Sequence, residues 1–106
     1  MHLEKTNIVA LMKYTIEKIT TLIGARRIGQ NDANVGWILT DSRSLCFPEE
    51  TLFFAIRTQR NDGHNYIPEL YRRGVRNFVV ETVPADADSG FRNANFLKVT
   101  NTLAAL

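Results

Sequence analysis

A chain of 106 residues, 44% hydrophobic and 23% charged, is long enough for one domain with its own core, and a formal net charge of +2 is too small to argue for a nucleic-acid or membrane-surface partner. The single cysteine, Cys46, excludes an intrachain disulfide and fits a reducing, cytoplasmic setting; without a base beside it, it reads as a half-buried apolar filler rather than a nucleophile. No apolar run approaches the ~18 residues of a membrane span, and the amino terminus lacks a secretory signal pattern.

Residues 1–12, which end at a second methionine, read as an extension or an alternative start. Ile16, Ile19, Leu22 and Ile23 recur at helical spacing, which predicts a core-facing helix from Thr15, its N-cap, to Ile23, with Gly24 ending it. Ala25 to Val35 is polar and reads as a short irregular strand plus a turn. Trp37-Ile38-Leu39 and Leu52-Phe53-Phe54-Ala55-Ile56 read as two strands buried on both faces, with Trp37 a core residue. Between them lies a loop, Ser44 to Thr51, punctuated by Pro48 and charged by Glu49 and Glu50. Asp62-Gly63 signals a turn into a helix of about Asn65 to Arg73, apolar at Ile67, Leu70 and Tyr71 and ended by Gly74. Val75 to Glu81 is a third strand, so strand, helix and strand imply a parallel crossover. Thr82 to Asn95 is a polar excursion, Phe96 to Val99 a fourth strand, and Asn101 or Thr102 caps a helix opening with Leu103. The pattern predicts an α/β fold: a layered domain with an open, mixed or mostly parallel sheet flanked by helices.

Polar groups that follow the strands of an open α/β sheet face the crevice where ligands bind, so chemistry is expected in Thr40-Asp41-Ser42-Arg43 and in Arg57 to His64. Ser42 offers a donor and an acceptor suited to a base edge, a ribose or a phosphate oxygen, although the residues alone favour a turn-forming hydroxyl. Asp41 and Arg43 read as an ion pair, with Arg43 still able to meet a phosphate bidentately. Asp62 and Gly63 read as structural, Asp62 as a helix cap, and His64 as a packing or capping residue ahead of a ligand. There is no G-x-x-x-x-G-K-[ST] phosphate loop, metal-ligand cluster or nucleophile–base pair.

The blocks TDSR, LFFAI, DGHNYI and GVRNFVV, in this order and spacing, resemble the N-terminal domain of the Mur ligases over Tyr14 to Leu106. These are ATP-dependent enzymes that add amino acids to the UDP-N-acetylmuramoyl precursor of peptidoglycan. The chain looks most like members that attach D-alanyl-D-alanine, ahead of those that attach the third residue. The resemblance implies that residues 13–106 are a cytoplasmic substrate-recognition domain, cut before the ATP-binding central domain and inactive alone. It implies that Thr40, Ser42, Gln59, Arg60 and Asn61 hold the UDP moiety, with Arg43 and His64 as further substrate contacts. ATP and magnesium then belong to the central domain, and this segment carries no cofactor of its own. Its partners are the UDP-N-acetylmuramoyl-peptide and that central domain. The chain departs from the family at Thr58, often a glycine, and in the Ser44 to Thr51 loop, which lacks the usual Pro-Gly-Asp turn. A small-molecule-sensing module of the same fold and a purely structural or interaction domain are the rival readings.

Overall fold

Alternation along short strands sorts the apolar side chains onto two faces, and each face recruits its own cover. The computed structural model describes residues 14–106; the extension read at residues 1–12 lies outside them. In chain order the elements are β1 (Tyr14–Thr15), α1 (Ile16–Leu22), β2 (Arg26–Ile28), β3 (Asn34–Val35), β4 (Trp37–Leu39), β5 (Thr51–Phe54), α2 (Ile67–Arg72), β6 (Asn77–Val80), α3 (Ala87–Gly90), β7 (Asn95–Lys98) and α4 (Thr102–Ala105). Short 3-10 turns at Ser42–Ser44, Pro48–Glu50 and Gly63–Tyr66 punctuate the loops.

One five-stranded sheet runs in the order β2-β7-β6-β5-β4. Strands β4 to β7 are parallel, and β2 joins antiparallel on the edge beside β7. The sheet is therefore mixed and mostly parallel, flanked by helices, as the sequence predicts. A small antiparallel pair, β1 with β3, sits apart from it.

Register places Phe53, Phe78 and Phe96 side by side on one face. Phe78 stacks on Phe96 with ring centroids 5.4 Å apart, and Phe91 meets Phe96 edge-on at 5.8 Å. Ile67 and Leu70 of α2 and the segment carrying Phe91 and Ala94 close this face. The opposite face carries Leu52, Phe54, Val79 and Leu97 and is covered by Ile16 and Ile19 of α1. The helix begins where predicted: Thr15 accepts from the Lys18 backbone N–H at 3.1 Å.

Four local readings change. Trp37 is not a core residue: β4 is the edge strand, Trp37 and Ile38 are 37% and 48% exposed, and only Leu39 is buried. An edge strand has a neighbour on one side only, so Trp37 finds its apolar contact in Phe47, stacked at 5.2 Å. Cys46 is exposed in the loop rather than half-buried, because it lies between two 3-10 turns that face solvent. The helix predicted from Asn65 starts as a 3-10 turn, with the α-helix proper beginning at Ile67; this puts Pro68 at its start, where a missing N–H costs nothing. The polar connection before Val35 holds two strands, β2 and β3, rather than one irregular strand.

Candidate functional site

Where β4 and β5 end, their polar tails meet in a cleft of about 430 Å³ lined by Thr40, Asp41, Ser42, Arg43, Asn61 and Tyr66. Asp41 caps the 3-10 turn that follows β4, accepting from the Arg43 backbone N–H at 3.0 Å. The same carboxylate takes the Arg43 guanidinium side-on, at 3.1 Å from Nε and 2.8 Å from Nη2. Ser42 accepts at its carbonyl from Arg73 Nη1, 3.2 Å away, while no bond among the described residues engages its hydroxyl. The turn-forming role for that hydroxyl is therefore not the one the structure shows.

The second tail is a tight staple. Thr58 N–H donates to the Asn61 carbonyl at 2.7 Å, and the Thr58 hydroxyl oxygen accepts from the N–H groups of Arg60 and Asn61 at 3.3 and 3.1 Å. Thr58 thus builds its own turn with its hydroxyl, where the family resemblance leads to an expectation of glycine. Asn61 Oδ1 accepts from the Tyr66 hydroxyl at 3.2 Å, which joins the loop to the turn opening α2.

A charged network follows the staple. Asp62 accepts from Arg57 Nε at 3.0 Å and from the His64 backbone N–H at 2.9 Å. His64 Nε2 accepts from the N–H of Glu81 at 3.0 Å, so it carries no hydrogen; Nδ1 must then be protonated and donates to Asp62, 2.7 Å away. Glu81 accepts from Thr102 N–H at 2.9 Å, and the Thr102 hydroxyl lies 3.0 Å from the Ala55 carbonyl and 3.1 Å from Glu81, one proton between two acceptors. This ties the loop after β5 to the end of β6 and the start of α4.

Two carboxyls are held below their ordinary range. The side-chain bond from Arg43, then its backbone N–H, lowers Asp41 to about 2. Burial pushes Asp62 up, but the bonds from His64 and Arg57 outweigh it and the net direction is down. Both values are depressed in the folded state, so the stability they contribute is present above the unfolded carboxylate pKa of about 4 and is lost as pH falls through the folded values. Followed by carboxyl-carbon NMR, Asp41 is expected to titrate near about 2 rather than at 3.8. A midpoint at the ordinary value would show that the Arg43 pair does not persist in solution.

Of the residues expected from the sequence, the fold brings Thr40, Ser42, Arg43 and Asn61 together at the cleft. Gln59 and Arg60 stand at the exposed loop tip, outside its lining. His64 is turned into the network, with both ring nitrogens committed. Sequence reasoning missed Tyr66, which DGHNY could have revealed as an aromatic one turn from the loop, and missed Glu81 and Thr102 as anchors. Among the described residues no group of three His, Cys, Asp or Glu side chains is placed to hold a metal, and no helix is long and apolar enough to cross a membrane.

Neither a family model nor a curated protein matches the sequence. Solved structures do match: the fold is that of a segment of the Mur ligases. The chain superposes on a UDP-N-acetylmuramoylalanyl-D-glutamyl-2,6-diaminopimelate–D-alanyl-D-alanyl ligase from Acinetobacter baumannii with a TM-score of 0.69 and 23% identity over 88% of this chain. Two crystal structures of MurF from the same organism give the same TM-score of 0.69 and identity of 23%. The chain spans about a fifth of these ligases, 20% and 19% of their lengths.

Proposed function

We propose that this chain, over residues 13–106, is the substrate-recognition domain of a Mur-type ligase, holding the nucleotide end of a UDP-N-acetylmuramoyl-peptide for an ATP-dependent ligase that adds D-alanyl-D-alanine. One observation carries the reading: two segments distant in sequence, Thr40 to Arg43 and Asn61 to Tyr66, converge on one polar cleft at the carboxyl ends of parallel strands. The likeness to MurF supports it through the fold.

The cleft suits recognition rather than bond-making. The Ser42 hydroxyl and the Asn61 amide offer donors and acceptors to a base edge or ribose, and Arg43 and Arg60 offer guanidinium to a diphosphate. Tyr66, 39% exposed, lines the same cleft as Ser42, Arg43 and Asn61. Held there, the nucleotide provides remote binding energy that places the far carboxylate of the peptide for reaction. In this reading ATP and the ligation step belong to a central domain of the ligase, and the residues of the cleft serve recognition.

Titration with UDP-N-acetylmuramic acid tests the assignment. Ser42→Ala is expected to weaken binding by up to about tenfold, the worth of a neutral hydrogen bond. Arg60→Ala is expected to cost more, and increasingly so as salt is lowered. Unchanged affinity in both variants, with folding intact, moves the nucleotide away from these loops.

A further inference from the structure

At the opposite end of the sheet, where β6 starts, a second cleft of about 650 Å³ opens between Thr15, the loop Asn31 to Asn34, and the turn before β5. Asn77, fully buried in its wall, is the residue that singles it out. Asn95 donates its Nδ2 to the Asn31 carbonyl at 2.7 Å, and its Oδ1 faces Arg27 Nε at 3.4 Å, which fixes the Asn95 amide. Asn77 must therefore present Oδ1 to Asn95 Nδ2, at 2.9 Å, and turn its own Nδ2 the other way. That Nδ2 has no hydrogen-bond partner, the one buried side-chain polar atom so placed among the described residues. An unpaired donor of this kind is costly and calls for an acceptor.

The charges around it define what would bring one. Glu17, Asp32 and Glu49 line the cleft, and among the described residues Arg76 is the one lining cation. The Arg76 head group is committed elsewhere: Nη1 donates to the carbonyls of Tyr71 at 2.7 Å and Val75 at 3.0 Å, and the guanidinium lies 3.9 Å over the Tyr71 ring. Among the described residues, Glu17, Asp32 and Glu49 form no ion pair. These carboxylates are too dispersed to make a metal-ligand group. The cleft is of small-molecule size, negative, and has a buried donor in its wall.

We propose that this cleft binds a small protonated amine that also carries hydroxyl or carbonyl oxygen, an amino sugar or amino alcohol. The oxygen accepts from Asn77 Nδ2, and the ammonium faces Asp32 and Glu49. The site is independent of the nucleotide cleft and stands whether or not that reading holds.

Three ring compounds of similar size separate the contributions: glucosamine carries both groups, cyclohexylamine the amine alone, glucose the hydroxyls alone. Each is titrated into the full chain while the Asn77 side-chain amide is followed by nitrogen-15 NMR. Glucosamine is expected to move that resonance and to bind about fivefold tighter than cyclohexylamine, the ratio a neutral hydrogen bond commands, with glucose weaker than either. Asp32→Asn combined with Glu49→Gln, both exposed positions, is expected to weaken glucosamine about tenfold and leave the fold intact. Asn77→Leu should make glucosamine and cyclohexylamine bind alike. An Asn77 amide unmoved by glucosamine, glucose binding as well as glucosamine, or full affinity in the Asp32/Glu49 double variant each overturns the proposal.

Discussion

Truncating Phe78 to alanine is expected to cost about 3–5 kcal/mol, enough to leave much of the population unfolded in a domain whose total stability is on the order of 5–15 kcal/mol. Phe78 sits on the central strand of the five, has no exposed surface, and touches aromatic rings on both sides: Phe96 stacked at 5.4 Å and Phe53 edge-on at 6.4 Å. Neighbouring backbone pairs hold those rings in register, so they cannot collapse into the vacated volume without breaking the ladder. Trp37→Ala is the contrast. Trp37 is larger, yet it lies on the edge strand, 37% exposed, with one stacked partner at Phe47. Its loss is expected to cost about 1 kcal/mol, the scale of one exposed aromatic pair. Urea unfolding of the two variants checks the ordering. Equal losses would mean that the aromatic ladder is not the centre of the core.

The sequence showed the sheet because buried parallel strands are written as uninterrupted apolar runs, as at Leu52 to Ala55 and Phe78 to Val80. It showed less at the edges. Trp37-Ile38-Leu39 has the same written form as a central strand, and nothing local says that only one neighbour will pair with it. The strand at Arg26 to Ile28 was legible only as an irregular strand without bounds, for the opposite reason: a three-residue edge strand with two charged residues has too little period to stand out. At the site, chain order sufficed to locate the two polar tails, since strand ends of a parallel sheet must share one edge. It did not suffice to orient His64 or to find Glu81 and Thr102. Those roles depend on a hydrogen-bond chain that crosses from one loop to two later elements, and no spacing in the sequence encodes it. The Asn77–Asn95 pair was equally invisible, since Asn77 reads alone as a polar residue inside a strand and Asn95 as the end of a polar excursion.

Gly63→Ala is expected to remove about 3 kcal/mol of stability and to take the proposed nucleotide binding with it, although the residue does not line the cleft. The reason is space. A Cβ built at Gly63 would lie 2.8 Å from Ile56 N, 2.9 Å from Ala55 Cα and 3.0 Å from Ala55 C, all backbone atoms at the end of β5 that cannot swing aside. The loop would have to lift instead. Lifting breaks the Gly63 N–H to Ile56 carbonyl bond, 2.8 Å long, and strains the bridge between Arg57 and Asp62 and the His64 bonds to Asp62 and Glu81. Asn61 and Tyr66 flank this point on either side, so both walls they give to the cleft move together. Gly24→Ala provides the control. There φ is +67° and no heavy atom lies within 4 Å of the added carbon, so the cost is conformational alone, roughly 1–2 kcal/mol. Gly24 lies at the end of α1, outside the lining of the nucleotide cleft, so affinity for UDP-N-acetylmuramic acid is expected to stay unchanged in that variant. Thermal unfolding and calorimetric titration of the two proteins separate the cases: Gly63→Ala loses both properties, Gly24→Ala only part of the first. A Gly63→Ala protein that binds and melts like the parent would show that the loop is not seated on the β5 backbone, and the geometry of the whole cleft would have to be redrawn.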